Sequence, residues 1–514
     1  MSELKVMDRT TNTYRNLFWG MGYKIVGMVC PFIFRAIIIR ELGGGYIGLN
    51  GLFTSVLKVL NMSELGFGSA VIYMMYKPVA EGNKEDLRSL LNMIKKIYQY
   101  VGLSILIAGS LVYPLLPVLV KNDTGVDINI YVLYTMYLFN SAFSYLSSAY
   151  RSTLFTAWQR NDILSKILLA TEIVKYSLQA IVLYVTKNYY LYVLVFSLSV
   201  ILENVLYYLV SRRVFPDIYC EGEISAGQKK EIKNKVIPLL GHRIGGTVII
   251  SIDELVISAI LGIYALTKYD NYYAVFSSVN TMLTVFRSSV VASLGNKLYS
   301  STKESLFETY KKVYFLWVML VGWCACLLAG LYQPFVKLWV GPEYVYSDKI
   351  MLWISAYFFV WQFRFIGVTM KEAAGLWEPD RWKPIIGMTL NFFFSVLLVK
   401  LTGSVLGVLW PTMAIMAFLY FPWETHVLFT KIFNHGLKEY LLMTVKCFGS
   451  VLLAGTIVYL VTDRIPMDGI RYFILRLVLC LVIPFTVFTA FHGRSVQYRG
   501  TIRDMKTIIR KIRT

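Results

Sequence analysis

Charged residues are scarce in this sequence, and acidic residues are scarcer than basic ones. Only 16% of the 514 residues are charged, whereas 56% are apolar, and the mean hydropathy is +0.56. Water-soluble domains carry about a quarter charged residues, so this composition excludes a soluble globular fold. Long apolar segments recur from end to end with short polar gaps, which leaves no room for a separate soluble domain. The sequence therefore predicts a polytopic membrane protein.

Cysteine and histidine are also rare, with six and four residues. Most of the cysteines lie inside apolar segments, and Cys324 and Cys326 have no partner ligands at the spacing of a metal site. We therefore predict no disulfide framework, no metal and no cofactor. No small-residue cleavage site follows the basic N-terminus, so we expect the first helix to act as its own insertion signal.

Basic residues outnumber acidic ones by 51 to 31, but they are spread over short loops. They form neither a basic face nor an aromatic-interleaved motif, so nucleic acid is not a predicted partner. Most of them fall on one side of the membrane if the N-terminus is placed inside, as the positive-inside rule requires. We predict a multi-pass protein of the cell (cytoplasmic) membrane with both termini in the cytoplasm.

Apolar segments long enough to cross a hydrocarbon core of about 30 Å, which takes about 20 helical residues, fill the sequence. We predict an all-α polytopic membrane protein with about fourteen transmembrane helices. The predicted spans are residues 16–39, 46–76, 97–120, 128–150, 163–186, 189–210, 236–261, 272–294, 313–336, 350–370, 384–401, 405–421, 440–461 and 470–491.

Three sequence matches recur at one offset of 219 residues and indicate an internal duplication. The matches are Lys84, Glu85 and Leu87 with Lys303, Glu304 and Leu306; Leu42 and Gly43 with Leu261 and Gly262; and Trp158 with Trp377. Six predicted spans separate equivalent helices, so two six-helix lobes point the same way and enclose a central cavity. The predicted parts are an N-lobe (1–210), a cytoplasmic linker (211–235), a C-lobe (236–425), and the last two helices with a basic tail (426–514).

Many ionisable residues lie deep inside predicted spans, where each costs at least roughly 2.5 to 3.5 kcal/mol unless it faces water or a partner. Lys24 and Arg35 are eleven residues apart and share a helix face, as do Arg243 and Glu254. Deep cations outnumber deep acids, which favours a cavity for a phosphate or pyrophosphate group. The candidate substrate-binding residues are Lys24, Arg35, Lys58, Arg243, Arg287 and Arg364.

Three acids, Asp253, Glu254 and Glu64, are candidates for ion coupling. A carboxylate beside Arg243 can exchange a proton or sodium ion as its distance from the cation changes, and a static ion pair is the alternative. Glu172 and Lys175 are spaced to neutralise each other on one helix. The longest predicted outer loop, residues 337–349, holds no nucleophile or paired-carboxylate motif, so no catalytic residue is predicted.

A known family shares several of these motifs. The segment ELGGGYIGLNGLFTSVLKVLNMSELGFGSAVIYMMYKPVAEGNKEDL, Glu41 to Leu87, resembles the corresponding region of Wzx-type polysaccharide flippases. DELVIS, Asp253 to Ser258, resembles their Asp-led seventh helix, although Glu254 stands where the family usually has Asn. AGLWEPDRWK, Ala374 to Lys383, resembles the loop before their eleventh helix. The resemblance implies the multidrug/oligosaccharidyl-lipid/polysaccharide (MOP) exporter fold, with two six-helix lobes and two extra C-terminal helices.

The resemblance also implies a transporter rather than an enzyme. Its substrate would be an undecaprenyl-pyrophosphate-linked oligosaccharide repeat unit, flipped from the inner to the outer leaflet by alternating access. The implied partners are this lipid-linked substrate, the bilayer, and the polysaccharide polymerase and other assembly proteins. The alternatives are a peptidoglycan-precursor lipid flippase and a membrane polysaccharide polymerase or glycosyltransferase.

Overall fold

A computed structural model describes residues 9–61, 67–121, 125–225, 227, 248–376, 378–500 and 503. All regular secondary structure within these ranges is helical. The chain forms two compact units, Met1–Thr267 and Lys268–Thr514. The predicted all-α architecture is confirmed for the described residues, whereas the predicted lobe boundaries stay a prediction.

The described residues of the first unit include ten α-helices of unequal length that lie wholly within it. They are α1 (Arg9–Glu41), α2 (Gly45–Leu60), α3 (Phe67–Glu81), α4 (Lys84–Ser110), α5 (Leu116–Leu119), α6 (Ile130–Leu146), α7 (Ser152–Ala157), α8 (Asn161–Thr186), α9 (Tyr189–Val214) and α10 (248–261). Helix α1 packs along α8, while α9 packs against both α8 and α6.

Helix α11 (Ile263–Ser300) begins in the first unit and continues into the second, which starts at Lys268. The other helices of the second unit are α12 (Lys303–Trp339), α13 (Asp348–Gln362), α14 (Phe365–Ala373), α15 (Lys383–Thr402), α16 (Leu406–Ala414), α17 (Phe421–Leu428), α18 (Leu437–Asp463) and α19 (Ile470–His492). Two π-helical segments, Ile415–Tyr420 and Phe429–Phe433, follow α16 and α17.

Ten helical segments of the described residues are long and apolar enough to cross a membrane. They match the first, third, fifth and sixth predicted spans and the ninth to fourteenth. Of the other four predicted spans, the second overlaps α2 and α3, the fourth overlaps α6 and the eighth lies within α11. The seventh is described only over α10, because residues 236–247 lie outside the described residues. The total of about fourteen spans is therefore not confirmed and stays a prediction.

The sequence repeat has a counterpart in local backbone structure. Gly43 and Gly262 both adopt positive φ angles, 107° and 93°, in a region that favours glycine because it has no Cβ. Each glycine N–H donates to the carbonyl five residues earlier, that of Ile38 at 3.0 Å and that of Ile257 at 3.1 Å. These carbonyls are also 219 residues apart, so the duplicated segments end their helices in the same way.

Helices α4 and α12, which begin at the matching residues Lys84 and Lys303, also start in the same way. Asn83 caps α4 by accepting from the N–H of Asp86, and Thr302 caps α12 by accepting from the N–H of Ser305. Side-chain caps satisfy N–H groups that the first helical turn leaves without partners. The local structure therefore supports the predicted duplication.

The first part of the predicted linker docks on the start of α4. The Lys84 ammonium donates to the Asp217 carboxylate at 2.6 Å, and Arg88 donates to the Asp217 carbonyl at 2.9 Å. The hydrogen bond from Lys84 lowers the pKa of the Asp217 carboxyl below its ordinary value. Residues 215–225 are thus bound to α4, so this half of the predicted linker is packed on the first unit's own helices.

One predicted span was wrong at its end. We predicted that the twelfth span ends at residue 421, but the continuous helical segment runs from Leu406 to Phe433. The predicted end lies just before Pro422 and Glu424. Glu424 is buried at 2% exposure and bound by cations from other helices, so its charge does not end the segment.

Small residues permit close helix packing in the second unit. Helix α12 packs against α18 and α19, and Gly330 of α12 faces Cys480 of α19 and Val458 of α18. Membrane helices have no hydrophobic drive to associate and rely on such close contacts.

Gly330→Val is expected to destabilise the protein by about 1 to 3 kcal/mol, the usual cost of overpacking. Even a Cβ at this position would overlap the Cys480 sulfur, whereas a Cβ at Gly449 of α18 would meet nothing within 4 Å. The unfolding midpoint of the purified protein in detergent measures the effect, with Gly449→Ala as the control. An unchanged midpoint for Gly330→Val would show that α19 is not held closely against α12.

Candidate functional site

A cavity of about 400 Å³ lies among five helices of the first unit. Its lining residues are Pro31, Phe34, Arg35 and Ile38 of α1; Ile47, Asn50, Thr54, Leu57, Lys58 and the adjoining Asn61 of α2; Tyr137, Asn140 and Ser141 of α6; Lys175, Tyr176 and Gln179 of α8; and Tyr189, Tyr192, Val193 and Phe196 of α9. A site between helices of a bundle with this volume is typical of ligand pockets.

Helical periodicity explains why these residues meet. On every helix the lining positions recur three, four or seven residues apart, which places them on one face. Pro31 precedes Arg35 by one turn on α1, and as a proline it cannot donate to the carbonyl of Gly27. The cavity is thus formed by the faces of regular helices rather than by loops.

Positive charge dominates the cavity. Among the described residues that line it, Arg35, Lys58 and Lys175 are cationic, and neither Asp nor Glu occurs. Lys175 has its charge balanced locally, because its ammonium donates to both Glu172 carboxylate oxygens at 2.7 Å. The pairing of Glu172 with Lys175 expected from their spacing is therefore present. Arg35 and Lys58, from α1 and α2, are the other two cations of the described lining.

Hydrogen bonds fix the wall between α2, α6 and α9. The Tyr137 hydroxyl donates to the Asn50 side-chain oxygen at 2.8 Å and lies 3.1 Å from the Tyr189 hydroxyl. Ser141 donates to the side-chain oxygen of Asn61 at 2.8 Å. These contacts hold the aromatic and amide side chains in defined positions around the cavity.

Two other amides of the lining are incompletely bonded. Asn140 of α6 is 6% exposed, and neither its amide nitrogen nor its amide oxygen has a hydrogen-bond partner. Gln179 of α8 is 2% exposed and donates to the carbonyl of Tyr192 at 3.2 Å, but its side-chain oxygen has no partner. Buried amides are usually bonded, so these atoms are exceptions that call for an explanation.

The structure brings two of the predicted substrate-binding residues together, Arg35 and Lys58. Lys24 is exposed on α1 and does not belong to this lining, although it shares the helix with Arg35. Arg243 and Glu64 lie outside the described residues. The substrate-binding role of the predicted residues stays a prediction.

Arg364 lies in a buried charge cluster of the second unit. Its guanidinium is 2.5 Å from the Glu424 carboxylate, which is also 2.5 Å from the Lys383 ammonium. Asp380 bonds to Lys383 at 2.8 Å and to Lys371. Glu424 lies beyond the predicted end of the twelfth span, so it is not among the acids predicted to lie inside the membrane. Arg364 therefore has a structural partner that its sequence neighbourhood does not reveal.

The remaining candidates are placed as follows. Arg287 of α11 lies over the ring of Phe365 at 4.5 Å. Asp253 and Glu254 of α10 are buried at 0% and 3% exposure, and both have interaction partners. Their burial agrees with either an ion-coupling site or a static pair, so ion coupling stays a hypothesis.

Sequence reasoning missed Lys175, Tyr137, Asn140 and Gln179 as cavity residues. Lys175 was interpreted only as half of a neutral pair. Asn140 and Gln179 carry no charge and interrupt the hydropathy pattern weakly. A search for amides within predicted spans would have found both.

Several solved structures share the fold of this chain. It is similar to the lipid II flippase MurJ in an inward closed conformation, with a TM-score of 0.60, 13% identity, and coverage of 95% of this chain and 100% of that one. A multidrug resistance MATE family transporter of the MOP superfamily in an inward-facing conformation matches with a TM-score of 0.56, 13% identity and coverage of 82% and 95%. A MOP superfamily transporter from Pyrococcus furiosus matches with a TM-score of 0.55, 14% identity, and coverage of 83% of this chain and 96% of that one. The predicted MOP fold is confirmed.

The family of the chain is shown by a match to its sequence. The profile of the polysaccharide biosynthesis protein family matches residues 13–295, more than half of the chain. The chain belongs to this family. No curated protein matches the sequence closely enough to be counted as a relative.

Proposed function

We propose that this protein flips an undecaprenyl-pyrophosphate-linked oligosaccharide from the inner to the outer leaflet of the cell membrane by alternating access. The observation that supports this most directly is the cationic cavity of the first unit, whose described lining holds Arg35 and Lys58 and no carboxylate. Membership of the polysaccharide biosynthesis family supports the class of substrate.

The chemistry of the headgroup explains why such a cavity is needed. A pyrophosphate and its sugars cannot cross bare hydrocarbon, because each unsatisfied polar group there costs several kcal/mol. Arg35 can grip phosphate oxygens through two parallel hydrogen bonds, while Lys58 acts as a point charge. The hydrocarbon tail needs no such path and stays in the bilayer.

A flippase for a peptidoglycan precursor is the second candidate. The fold match to the lipid II flippase MurJ favours it, and its substrate would present the same lipid pyrophosphate to Arg35 and Lys58. An exporter of cationic drugs is disfavoured, because a cation would meet like charge in this cavity. The two flippase functions differ in the sugars attached to the lipid, and the intermediates that accumulate in a deletion strain distinguish them.

Deletion of the gene is expected to trap complete lipid-linked repeat units on the cytoplasmic face. Mass spectrometry of extracted lipids gives their composition, and access of an externally added glycosidase or lectin gives their leaflet. Re-expression of the wild-type chain should restore delivery to the outer leaflet.

Accumulation of the disaccharide-peptide precursor would favour the second candidate. If complete units still reached the outer leaflet and only polymer length changed, a polymerase function would replace the proposal.

A further inference from the structure

We propose that the wall of this cavity formed by α6, α8 and α9 is a carbohydrate subsite that holds the sugar nearest the pyrophosphate. This inference rests on the proposed function and specifies which part of the substrate each side of the cavity receives. It is carried by Asn140 and Gln179, two deeply buried amides with polar atoms that lack partners.

The charged side chains of the lining are distributed unevenly among its helices. Helices α1 and α2 supply Arg35 and Lys58. Helix α8 supplies Lys175, but Glu172 neutralises that ammonium at 2.7 Å. The α6, α8 and α9 side is therefore neutral in sum, which suits an uncharged polar group better than a phosphate.

Amides and sugar hydroxyls have matching hydrogen-bond capacity. A hydroxyl is both donor and acceptor, and an amide offers an NH₂ group and a carbonyl oxygen. Asn140 has both of these atoms unpartnered, and Gln179 retains an unpartnered oxygen. In contrast, Asn50 and Asn61 in the same lining already accept hydrogen bonds from Tyr137 and Ser141.

Aromatic rings line the same cavity as these amides and provide apolar faces against which a sugar ring can pack. On the wall itself, Tyr189 and Tyr192 of α9 are stacked with centroids 5.4 Å apart. Tyr176 of α8 lies 4.9 Å from Phe34 of α1, which also lines the cavity. Aromatic side chains combine a large apolar surface with, in tyrosine, a hydroxyl that bonds. The combination of ring faces and amides is suited to a carbohydrate.

Binding to the full-length protein in nanodiscs tests the subsite with two probes. One probe is undecaprenyl pyrophosphate without sugar, and the other is the lipid-linked oligosaccharide extracted from the deletion strain. Asn140→Leu together with Gln179→Leu is expected to weaken binding of the sugar-bearing probe at least tenfold and binding of the bare lipid less than twofold. An equal affinity of variant and wild type for the sugar-bearing probe would overturn the inference. It would mean that water rather than sugar bonds to these amides.

Stability separates a ligand site from a structural role. Asn140→Leu removes no hydrogen bond, so its unfolding midpoint should equal or exceed that of the wild type. Asn204→Leu is the matched control, because this buried amide accepts from the N–H of Ser148 at 2.9 Å and donates to the carbonyl of Val200. The control should lower the midpoint. A lowered midpoint for Asn140→Leu, with both probes weakened equally, would mean that Asn140 serves the fold.

Failure of the proposed function gives a different result. If Arg35→Ala leaves binding of both probes unchanged, the cavity does not bind this lipid at all. If Arg35→Ala weakens both probes and the amide variant weakens neither, the function stands and the carbohydrate subsite does not.

Discussion

A chain carrying Arg35→Ala and Lys58→Ala is expected to restore export in the deletion strain at least about 100-fold less well than the wild type. Charge-assisted hydrogen bonds are worth about 1.5 to 3 kcal/mol each, and two of them correspond to a factor of 100 or more. Both side chains line the cavity and are cationic. The measurement is the rate at which lipid-linked oligosaccharide becomes accessible on the outer face, normalised to the amount of protein in the membrane.

Matched controls remove the same charge elsewhere. Lys77 and Lys187 have side chains that are 82% and 61% exposed, and neither lines the cavity. A chain with both changed to Ala should export normally. Arg35→Lys should retain part of the activity, because the charge remains but the planar fork is lost. Wild-type export by the Arg35→Ala, Lys58→Ala chain would refute the assignment of this cavity to the headgroup.

Glu424→Gln is expected to prevent the protein from accumulating in the membrane. The carboxylate is 2% exposed and contacts Arg364 and Lys383 at 2.5 Å. Without this charge the cluster holds three buried cations, Arg364, Lys383 and Lys371. Asp380 is then its one remaining acid. Breaking a buried ion pair in this way costs about 3 to 5 kcal/mol. Quantitative immunoblotting of membranes, with the unfolding midpoint of any purified protein, measures the loss.

Charge balance provides the internal control. Adding Arg364→Met to Glu424→Gln removes one cation with one acid, so the double variant should recover much of the lost stability. Glu81→Gln, which breaks an exposed pair with Lys77, should change stability by less than about 1 kcal/mol. A stable Glu424→Gln variant would show that the cluster does not support the fold. If Arg364→Met folded normally but lost substrate binding, the sequence-based role of Arg364 would be supported instead.

Long helices with clear ends could be predicted from sequence. The sixth predicted span starts at Tyr189, as α9 does, and Asn188 caps it by accepting from the N–H of Leu191. The fifth span was placed within two residues of α8. Apolar composition and local caps determine such elements, and both can be read from sequence.

Features that depend on distant contacts could not be predicted. The burial of Glu424 is an example, because its partners, Arg364 and Lys383, are 60 and 41 residues away along the chain.

Some residues of the candidate site could be predicted from sequence and others could not. Arg35 and Lys58 attract notice because a charge inside a membrane is costly. The position of Asn140 on the cavity wall depends on how α6 packs against its neighbours, and a neutral amide gives no comparable signal in the sequence.

The positive charge of Arg35 and Lys58 also bears on how the proposed transport would respond to voltage. A membrane potential acts on each elementary charge that crosses it with about 2.3 kcal/mol per 100 mV. In the proposed cycle an ionised pyrophosphate offsets the charge of the two cations that hold it, so the loaded cavity carries less net positive charge than the empty one. We therefore expect the potential to act more strongly on the return of the empty protein than on the step that carries the lipid.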